Sequence, residues 1–240
     1  MSRSARRAPG GLVYHALNRA VARLPLLQKE GDFDAFERIM HEAMERHPIR
    51  LLSYCLMPNH WHMVLWPRTD GEMTRFPRWM TNTHTMRWHA HYHSSGTGHV
   101  YQGRFKSFPV QIDAEDLHLL RTCRYVERNA LRAGLVQRAE QWQSSSLWRR
   151  ERGTPQQRGL LAEWPMSRPV DWIELVNAPQ TEAEMEALRR SMRRGTPFGD
   201  EHWQHRVAGE LGLQATLRPQ GRPRRRQQAA APVTLSVPSE

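Results

Sequence analysis

The sequence predicts an α+β fold in which helices pack on an antiparallel sheet, the ferredoxin-like or RRM-like arrangement. The predicted elements follow one another as strand, helix, strand, strand, helix, strand and helix, which is the order of that fold. The predicted strands are short apolar runs, and the helices between them carry apolar stripes that can pack on a sheet. Because this architecture hosts many functions, it indicates no chemistry by itself.

The first strand and the first helix are predicted from two different patterns of apolar residues. Residues 12–17 (LVYHAL) are a short apolar run after a Pro-Gly-Gly turn, which indicates a strand. Residues 32–46 carry apolar side chains at helical spacing on one stripe. Asp32 is the expected N-cap, and Pro48 closes the helix because the residue before a proline disfavours helical geometry.

A hairpin follows, in which a Pro58-Asn59 turn joins the apolar runs 49–57 and 60–66. Since side chains alternate along a strand, the second run is expected to place one set of side chains on each face of the sheet. The two sets are His60, His62 and Val64 on one face, and Trp61, Met63 and Leu65 on the other.

The second half of the predicted domain repeats the alternation of helix and strand. Residues 74–91 have helical spacing, and the glycines at positions 96 and 98 end that segment. Residues 100–112 contain one strand or two. Asp113 is expected to cap a third helix that runs to Arg132 and ends at Gly134.

The texture of the sequence divides the chain into three regions. Residues 1–150 form the main domain. Residues 151–217 form a helical extension, because a polar stretch without periodicity is followed by two helical segments, the first opened by a capping box of Thr181 and Glu184. Residues 218–240 are basic and then rich in Ala, Pro and Ser, so we expect this tail to be disordered.

The charge of the chain indicates a polyanionic partner. The formal net charge is +11, and of 35 basic residues all but Lys29 and Lys106 are arginines. A G·C-rich coding sequence can explain the ratio of arginine to lysine, but not the surplus over acidic residues. Nucleic acid is therefore the first expected partner, and an anionic membrane surface the second.

Other composition features point to a cytoplasmic protein without a membrane partner. The two cysteines, Cys55 and Cys123, lie in apolar stretches and form no disulfide framework or zinc knuckle. The basic start MSRSARRAPGG lacks the apolar core of a signal peptide. No run approaches the roughly 20 apolar residues that a membrane helix needs.

His60 and His62 are candidate metal ligands. Histidine is the commonest metal-binding side chain, and two imidazoles on one face of a strand can reach a single ion. A metal site needs more than two ligands. The alternative, which stays open from this pair alone, is two half-buried strand histidines whose ring nitrogens are hydrogen-bonded.

The predicted helix around Tyr125 has two unlike faces when successive residues are placed about 100° apart. Its packing face carries Leu119, Leu120, Cys123, Val126, Ala130 and Leu131. Its other face surrounds Tyr125 with His118, Asn129, Arg121, Arg128 and Arg132. A tyrosine nucleophile needs positive charge or a metal nearby, because its ordinary pKa is about 10, and arginines can hold a phosphodiester. A surface tyrosine on a solvated basic helix is the alternative.

Placed side by side, the histidine strand and the tyrosine helix would surround one ion. The carboxamide oxygen of Asn129, one turn from Tyr125, is the candidate third ligand. Mg²⁺ accepts carbonyl oxygen and water, and Mn²⁺ tolerates imidazole better, so we expect Mg²⁺ or Mn²⁺. In this arrangement the ion polarises a phosphate oxygen, and Tyr125 attacks phosphorus and expels a 3′-hydroxyl, which leaves a 5′-phosphotyrosine.

The segments that hold these residues, YCLMPNHWHMVLW and YVERNALRAGLV, resemble the HUH single-tyrosine transposase superfamily and, within it, the REP-associated tyrosine transposases. The likeness covers about residues 9–148 and extends to the GRPRRR tail. It implies that His60 and His62 bind the metal and that Tyr125 is the nucleophile. Asn129 stands where related transposases often place Gln. The family implies cleavage and rejoining of single-stranded DNA at hairpins or palindromic repeats, without ATP.

Two further segments are expected to contact DNA. Arg104 and Lys106 share one face of an aromatic and basic run, which suits phosphate contacts beside base stacking; an ordinary edge strand with solvated charges is the alternative. Arg222 and Arg224 lie in a GRPR segment that resembles a minor-groove AT-hook. A generic basic tail that adds non-specific affinity is the alternative for these two.

Two rival functions remain open at this point. A DNA-binding protein that keeps the fold without the activity, such as a repressor of its own repeats, would bind hairpins but form no covalent adduct. A zinc hydrolase built on the histidines would bind stoichiometric zinc, although no acidic or thiol ligand follows at a zinc-like spacing. The oligomeric state, monomer or homodimer, and the DNA sequence recognised also stay open.

Overall fold

The computed structural model describes residues 7–112 and 117–218. Within these residues the strands are β1 Val13–Arg19, β2 Arg50–Met57, β3 His60–Trp66 and β4 Lys106–Val110. The helices are α1 Glu30–Arg46, α2 Glu72–His91, α3 His118–Glu127, α4 Asn129–Arg132, α5 Ser146–Arg152, α6 Pro155–Arg158, α7 Trp172–Asn177, α8 Glu182–Arg194, α9 Glu201–Leu211 and α10 Gln214–Leu217. Two short 3-10 turns lie at Val21–Arg23 and Ala139–Gln141. None of the described helices is both long enough and apolar enough to cross a membrane.

The four strands form one antiparallel sheet in the order β2-β3-β1-β4. The predicted α+β fold is therefore confirmed, with β1, α1, β2, β3, α2 and β4 following one another along the chain. β1 is a central strand, pairing with β3 on one side and with β4 on the other. This position brings side chains of β1 next to those of the hairpin that follows it in sequence.

Two predicted element boundaries are wrong. Asp32 is the third residue of α1 rather than its N-cap, and its carboxylate accepts hydrogen bonds from the backbone N–H groups of Gln28 and Lys29. It therefore satisfies the free donors at the helix start from inside the first turn. In residues 100–112 the strand begins only at Lys106, because the chain first turns at Gly103, whose φ of 141° favours glycine.

The predicted third helix is divided in the structure. The described helix α3 begins at His118, and the expected cap Asp113 lies outside the described residues. α3 ends at Glu127, and the single turn α4 follows after Arg128. The break is mild, since the N–H of Arg132 still donates to the carbonyl of Arg128 at 2.8 Å. Tyr125 and Asn129 thus remain about one turn apart.

Each face of the sheet has its own apolar core. The core under α1 and α2 contains Trp61, Met63 and Leu65. The core under α3 contains Val64 and, from the region after residue 150, Trp172, Val176, Leu188 and Phe198. Phe198 also exchanges backbone hydrogen bonds with the end of β4, donating to Pro109 and accepting from Gln111, each at 2.9 Å. The predicted division near residue 150 stays a prediction, but the extension packs directly on the main domain.

A buried carboxylate joins α3 to the extension. Glu127 is fully buried, and burial raises its pKa. It accepts hydrogen bonds from the hydroxyls of Ser146 (2.6 Å) and Ser53 (3.3 Å) and from the indole N–H of Trp172 (2.7 Å). These donors offset the cost of burying the carboxyl group, and they fix α3 relative to β2 and α7.

Candidate active site

The histidine pair lies on the face of the sheet that packs against α3, as strand alternation predicts. Val64 belongs to that core, whereas Trp61 and its neighbours of the same parity belong to the core on the opposite face. The ring centroids of His60 and His62 are 5.0 Å apart. His62 is buried, and His60 is half-buried at the end of the strand.

A third histidine, which we did not expect from the sequence, contacts this pair. His15 on β1 is fully buried, and its Nε2 lies 2.9 Å from Nδ1 of His62. In the antiparallel register Leu17 pairs with His62 and His15 pairs with Val64, so His15 is a diagonal neighbour of His62 on the same face. The only signal in the sequence is a lone histidine within the apolar run of the first strand.

In the part of the chain that the structure describes, the hydrogen bonds of His60 and His62 engage one ring nitrogen of each residue and leave the other without a hydrogen bond. The Asn59 carboxamide oxygen can only accept, so Nδ1 of His60 donates to it at 2.6 Å and Nε2 carries the lone pair. When Nδ1 of His62 donates to His15, Nε2 of His62 is likewise unprotonated. Within the described residues, neither Nε2 takes part in a hydrogen bond. With this tautomer of His62, both rings offer the nitrogen that a metal ion would use.

The histidines are neutral in the folded protein. Burial, with a smaller contribution from nearby arginines, lowers the pKa of His15 and of His60 to about 3. Burial also lowers the pKa of His62 well below its ordinary value, and the neighbouring histidines act in the same direction. Neutral imidazole is the form that binds metals, so this environment preserves ligand character at physiological pH.

Tyr125 faces the histidines from α3. Its ring centroid lies 5.9 Å from that of His62 and 6.3 Å from that of His15, and the residue is only 6 % exposed. The guanidinium carbon of Arg132 lies 4.0 Å from the Tyr125 ring centroid, a cation–π contact. The alternative of a surface tyrosine on a solvated helix is therefore wrong. The expectation of a single packing face is also wrong, because His118 and Asn129 are buried as well.

Asn129 and Arg132 form a small polar cluster beside the ring of Tyr125. Nη2 of Arg132 donates to Oδ1 of Asn129 at 2.7 Å. Among the described residues, the buried Nδ2 of Asn129 and Nη1 of Arg132 have no hydrogen-bond partner. Burial lowers the pKa of Arg132, although its charge is retained because an arginine pKa remains far above neutrality. Unpaired donors beside the phenol indicate a place for an anionic or polar ligand.

The other two predicted arginines of this helix point elsewhere. Nη1 of Arg128 donates to the backbone carbonyls of Val176 and Asn177 at the end of α7. Nε of Arg121 lies 3.8 Å from the carboxylate of Glu184, near the protein surface. Neither arginine lines the cavity at Tyr125. Their DNA-binding roles stay predictions, and Arg128 already has a structural role in holding the extension.

A cationic cleft opens beside Tyr125 and the histidine pair. Its cavity measures about 780 Å³, and its lining includes His60, His62, Tyr125 and Asn129. The cationic side chains in the lining are Arg7, Arg19, Arg104, Lys106, Arg132, Arg189, Arg193 and Arg194. No Asp or Glu belongs to the described lining. Such a one-signed surface attracts a polyanion and concentrates it at the site.

The structure thus collects several of the predicted site residues and adds others. Arg104 and Lys106 reach this cleft from the segment that enters β4, whereas Arg222 and Arg224 lie outside the described residues. We did not expect Arg19 or the arginines of α8 in the cleft. The sequence signal for the arginines of α8 was the arginine-rich end of that helix (RRSMRR). By itself this segment is also typical of an ordinary solvated helix face.

This chain is similar to solved structures and to one sequence family. A structure of a REP-associated tyrosine transposase bound to a REP hairpin is 19 % identical to this chain with a TM-score of 0.50, over 71 % of this chain and 93 % of that one. The crystal structure of a suspected transposase from Deinococcus radiodurans is 15 % identical with a TM-score of 0.36, over 57 % and 94 % of the two chains. No curated protein sequence matches the chain.

The first of these similarities shows that the two proteins share a fold. The sequence model of the family described as IS200-like transposases matches residues 10–129, which is half of the 240 residues. The matched region holds the strand with His60 and His62 as well as Tyr125 and Asn129. This chain belongs to the IS200-like transposase family.

Proposed function

We propose that this protein cleaves and rejoins single-stranded DNA at hairpins or palindromic repeats through a covalent 5′-phosphotyrosine at Tyr125. One observation carries the proposal: the Tyr125 ring is packed against His62, under the guanidinium of Arg132, in a cleft lined by cations that also contains His60. Membership of the transposase family supports the reaction class. The hairpin bound by the structurally similar transposase supports hairpin DNA as the substrate.

Each residue of the site has a defined role in this reaction. The phenol of Tyr125 gives its proton to water and its oxygen forms a bond to phosphorus, while the bond from phosphorus to O3′ breaks and O3′ takes up a proton from water to leave as a hydroxyl. Arg132, stacked on the ring, offsets the negative charge that develops on the phosphate oxygens. His15 holds His62, and Asn59 holds His60, so both imidazole rings keep a fixed orientation. A free 3′-hydroxyl attacks the phosphotyrosine to rejoin the strand.

The residues fit a divalent cation of the Mg²⁺ or Mn²⁺ kind. Among the described residues no group of three or more His, Cys, Asp or Glu side chains could hold a metal. An ion here would therefore depend on Nε2 of His60 and His62, on Oδ1 of Asn129, and on water or DNA oxygen. Oδ1 has two lone pairs, so it can accept from Arg132 and still bind an ion. When bound, the ion supplies Lewis-acid polarisation of the scissile phosphate.

The test is to incubate the protein with labelled single-stranded hairpin DNA and Mn²⁺ or Mg²⁺ and to look for a protein–DNA band that survives denaturation and disappears on proteolysis. We expect the wild type to form this adduct and Tyr125→Phe to form none, while both bind the hairpin with similar affinity. Tyr92→Phe is the matched control, because this phenol lies on the opposite face and bonds Asp32. An adduct that persists in Tyr125→Phe would exclude Tyr125 as the nucleophile.

A non-catalytic DNA-binding protein is the second candidate, and one feature favours it. The described part of the chain contains no group of three or more His, Cys, Asp or Glu side chains that could hold a metal, so a metal would have to rely on the amide oxygen of Asn129 as its third protein ligand. A repressor of this kind would bind hairpins through the same cationic cleft. It would form no denaturation-resistant band with either metal, in the wild type or in any variant, and the experiment above separates the two functions.

A further inference from the structure

The described part of the extension sends one helix into the candidate active site. α8 packs against β4 and α3, and its arginines Arg189, Arg193 and Arg194 line the same cavity as Tyr125. Arg104 and Lys106 line the same cavity from an earlier part of the chain. Arg104 lies just before β4, and Lys106 is the first residue of that strand. In addition to Arg7, Arg19 and Arg132, the cavity therefore has cations from two segments that lie about 80 residues apart.

The position of α8 follows from its own sequence. Leu188 and Ser191 are buried on the side that faces the core, and Leu188 belongs to the apolar cluster under α3. Arg189 and Arg193 are four residues apart, so they share a stripe beside this buried side. The helix begins with the capping box of Thr181 and ends at Gly195, whose φ is 74°. The same amphipathic pattern that anchors α8 therefore directs its arginines to the cleft.

Arg189 and Arg193 of α8 are held by surface ion pairs, and Nη2 of Arg194 donates to the backbone carbonyl of Ala215 at 3.3 Å. Nη1 of Arg189 lies 2.8 Å from the carboxylate of Glu182, and Arg193 pairs with Glu186. Both glutamates are more than half exposed, and ion pairs exposed to solvent in this way contribute little to stability. A phosphate can therefore replace either carboxylate at little cost.

The charges inside the cleft favour an anionic ligand. Arg189 and Arg132 line the same cavity from α8 and from α4, so their like charges repel across it. A ligand phosphate between the two walls would relieve this repulsion. Phe105 and Phe108 also line the cavity, and aromatic rings beside cations are typical of single-stranded nucleic-acid channels.

We infer that α8 forms the second wall of the DNA cleft, with Arg189, Arg193 and Arg194 holding phosphates of the single strand that flanks the hairpin. This inference rests on the proposed function, because it takes the ligand bound beside Tyr125 to be a single strand of DNA. The extension is then part of the substrate site, because it holds the strand in the same cavity as the bond that Tyr125 attacks.

The experiment measures the salt dependence of affinity for a fluorescein-labelled hairpin that carries a single-stranded flank. For single strands the slope of log K against log salt changes by about 0.7 for each phosphate that the protein neutralises. The triple variant Arg189→Gln, Arg193→Gln, Arg194→Gln should lower the slope by about 2 and weaken binding at least about tenfold at low salt. Arg190→Gln is the matched control, because Arg190 is exposed on the same helix and does not line the cleft.

Three outcomes would overturn the inference. The triple variant could keep the wild-type slope. Arg190→Gln could lower the slope by about 0.7, as much as each charge of the triple variant is expected to. A blunt hairpin without a flank could lose as much affinity in the triple variant as the flanked hairpin does. Thermal unfolding checks that the variants fold; if the triple variant does not, Arg193→Gln alone, with a side chain 58 % exposed, should lower the slope by about 0.7.

The outcome for α8 is separable from the outcome for the proposed function. An adduct that survives in Tyr125→Phe would defeat the catalytic proposal and leave the salt slope of the α8 variants as evidence for a DNA cleft. An unchanged slope in the α8 variants would defeat the inference and leave the adduct of the wild type as evidence for catalysis.

Discussion

The two faces of the sheet each bury a hydrogen-bonded histidine, with different consequences. On the face under α1 and α2, Nδ1 of His84 lies 2.9 Å from the hydroxyl of Tyr101, and its ring packs 4.8 Å from that of Phe36. On the face under α3, Nε2 of His15 lies at the same distance from Nδ1 of His62. Both pairs lie inside the protein, and burial lowers the pKa of His84 as it does that of His15.

The difference lies in what surrounds each pair. His84 is enclosed by aromatic side chains of a core, whereas His62 lines an open cleft together with Tyr125 and a set of cations. A buried histidine with a hydrogen bond is therefore not a sign of function by itself. The open cleft with Tyr125 and its cations, which gives an anionic ligand a route to His62, distinguishes the candidate site from the pair of His84 and Tyr101. The histidine variants below test that distinction.

The largest effect on stability is expected at the buried ion pair between Arg149 and Glu37, which also includes the hydroxyl of Tyr54. Arg149→Met leaves the Glu37 carboxylate buried without its partner, so the free energy of unfolding should fall by about 3–5 kcal/mol in urea titrations. The exposed pair Arg87–Glu42 is the control, and Arg87→Met should cost at most about 1 kcal/mol. Equal losses would show that burial does not distinguish the two pairs.

The next effect concerns His15 and the metal pair of the proposed function. His15→Leu removes the partner of Nδ1 of His62, and losing such a support for a metal ligand typically weakens binding about 10- to 100-fold. The affinity for Mn²⁺ alone, measured by electron paramagnetic resonance, should fall accordingly. His84→Leu, the buried histidine of the other face, should leave Mn²⁺ affinity unchanged. A similar loss in both variants would remove the distinction between the faces.

The smallest effect is a pH dependence of stability from His84. Burial lowers its pKa from 6.5 to about 4, so between these values the unfolded chain binds the proton and the folded chain does not. Stability from this group is therefore present above pH 6.5 and is lost as the pH falls towards 4, with a slope of about 1.4 kcal/mol per pH unit. His84→Phe should reduce the slope by up to that amount in urea titrations across this range. An unchanged slope would show that a group other than His84 causes the pH dependence of stability in this range.

The sequence by itself was sufficient for the features that depend on local periodicity. Alternation along β3 correctly placed His60 and His62 on one face, because side chains of a strand alternate whatever their partners are. The helical spacing of Tyr125 and Asn129 survives the break at Arg128 for the same local reason. The basic surplus and the two family segments indicated a DNA-processing protein, and the family is confirmed.

Only the tertiary structure decided which distant residues meet. His15 contacts His62 across 47 positions because of the register between β1 and β3, which no periodicity in either strand records. Arg128 bonds carbonyls at the end of α7 instead of facing the cleft, because the extension packs against α3. The same packing buries both sides of α3 and brings the arginines of α8 to Tyr125. Interactions of this kind depend on how whole elements dock, and spacing along the chain carries no information about docking.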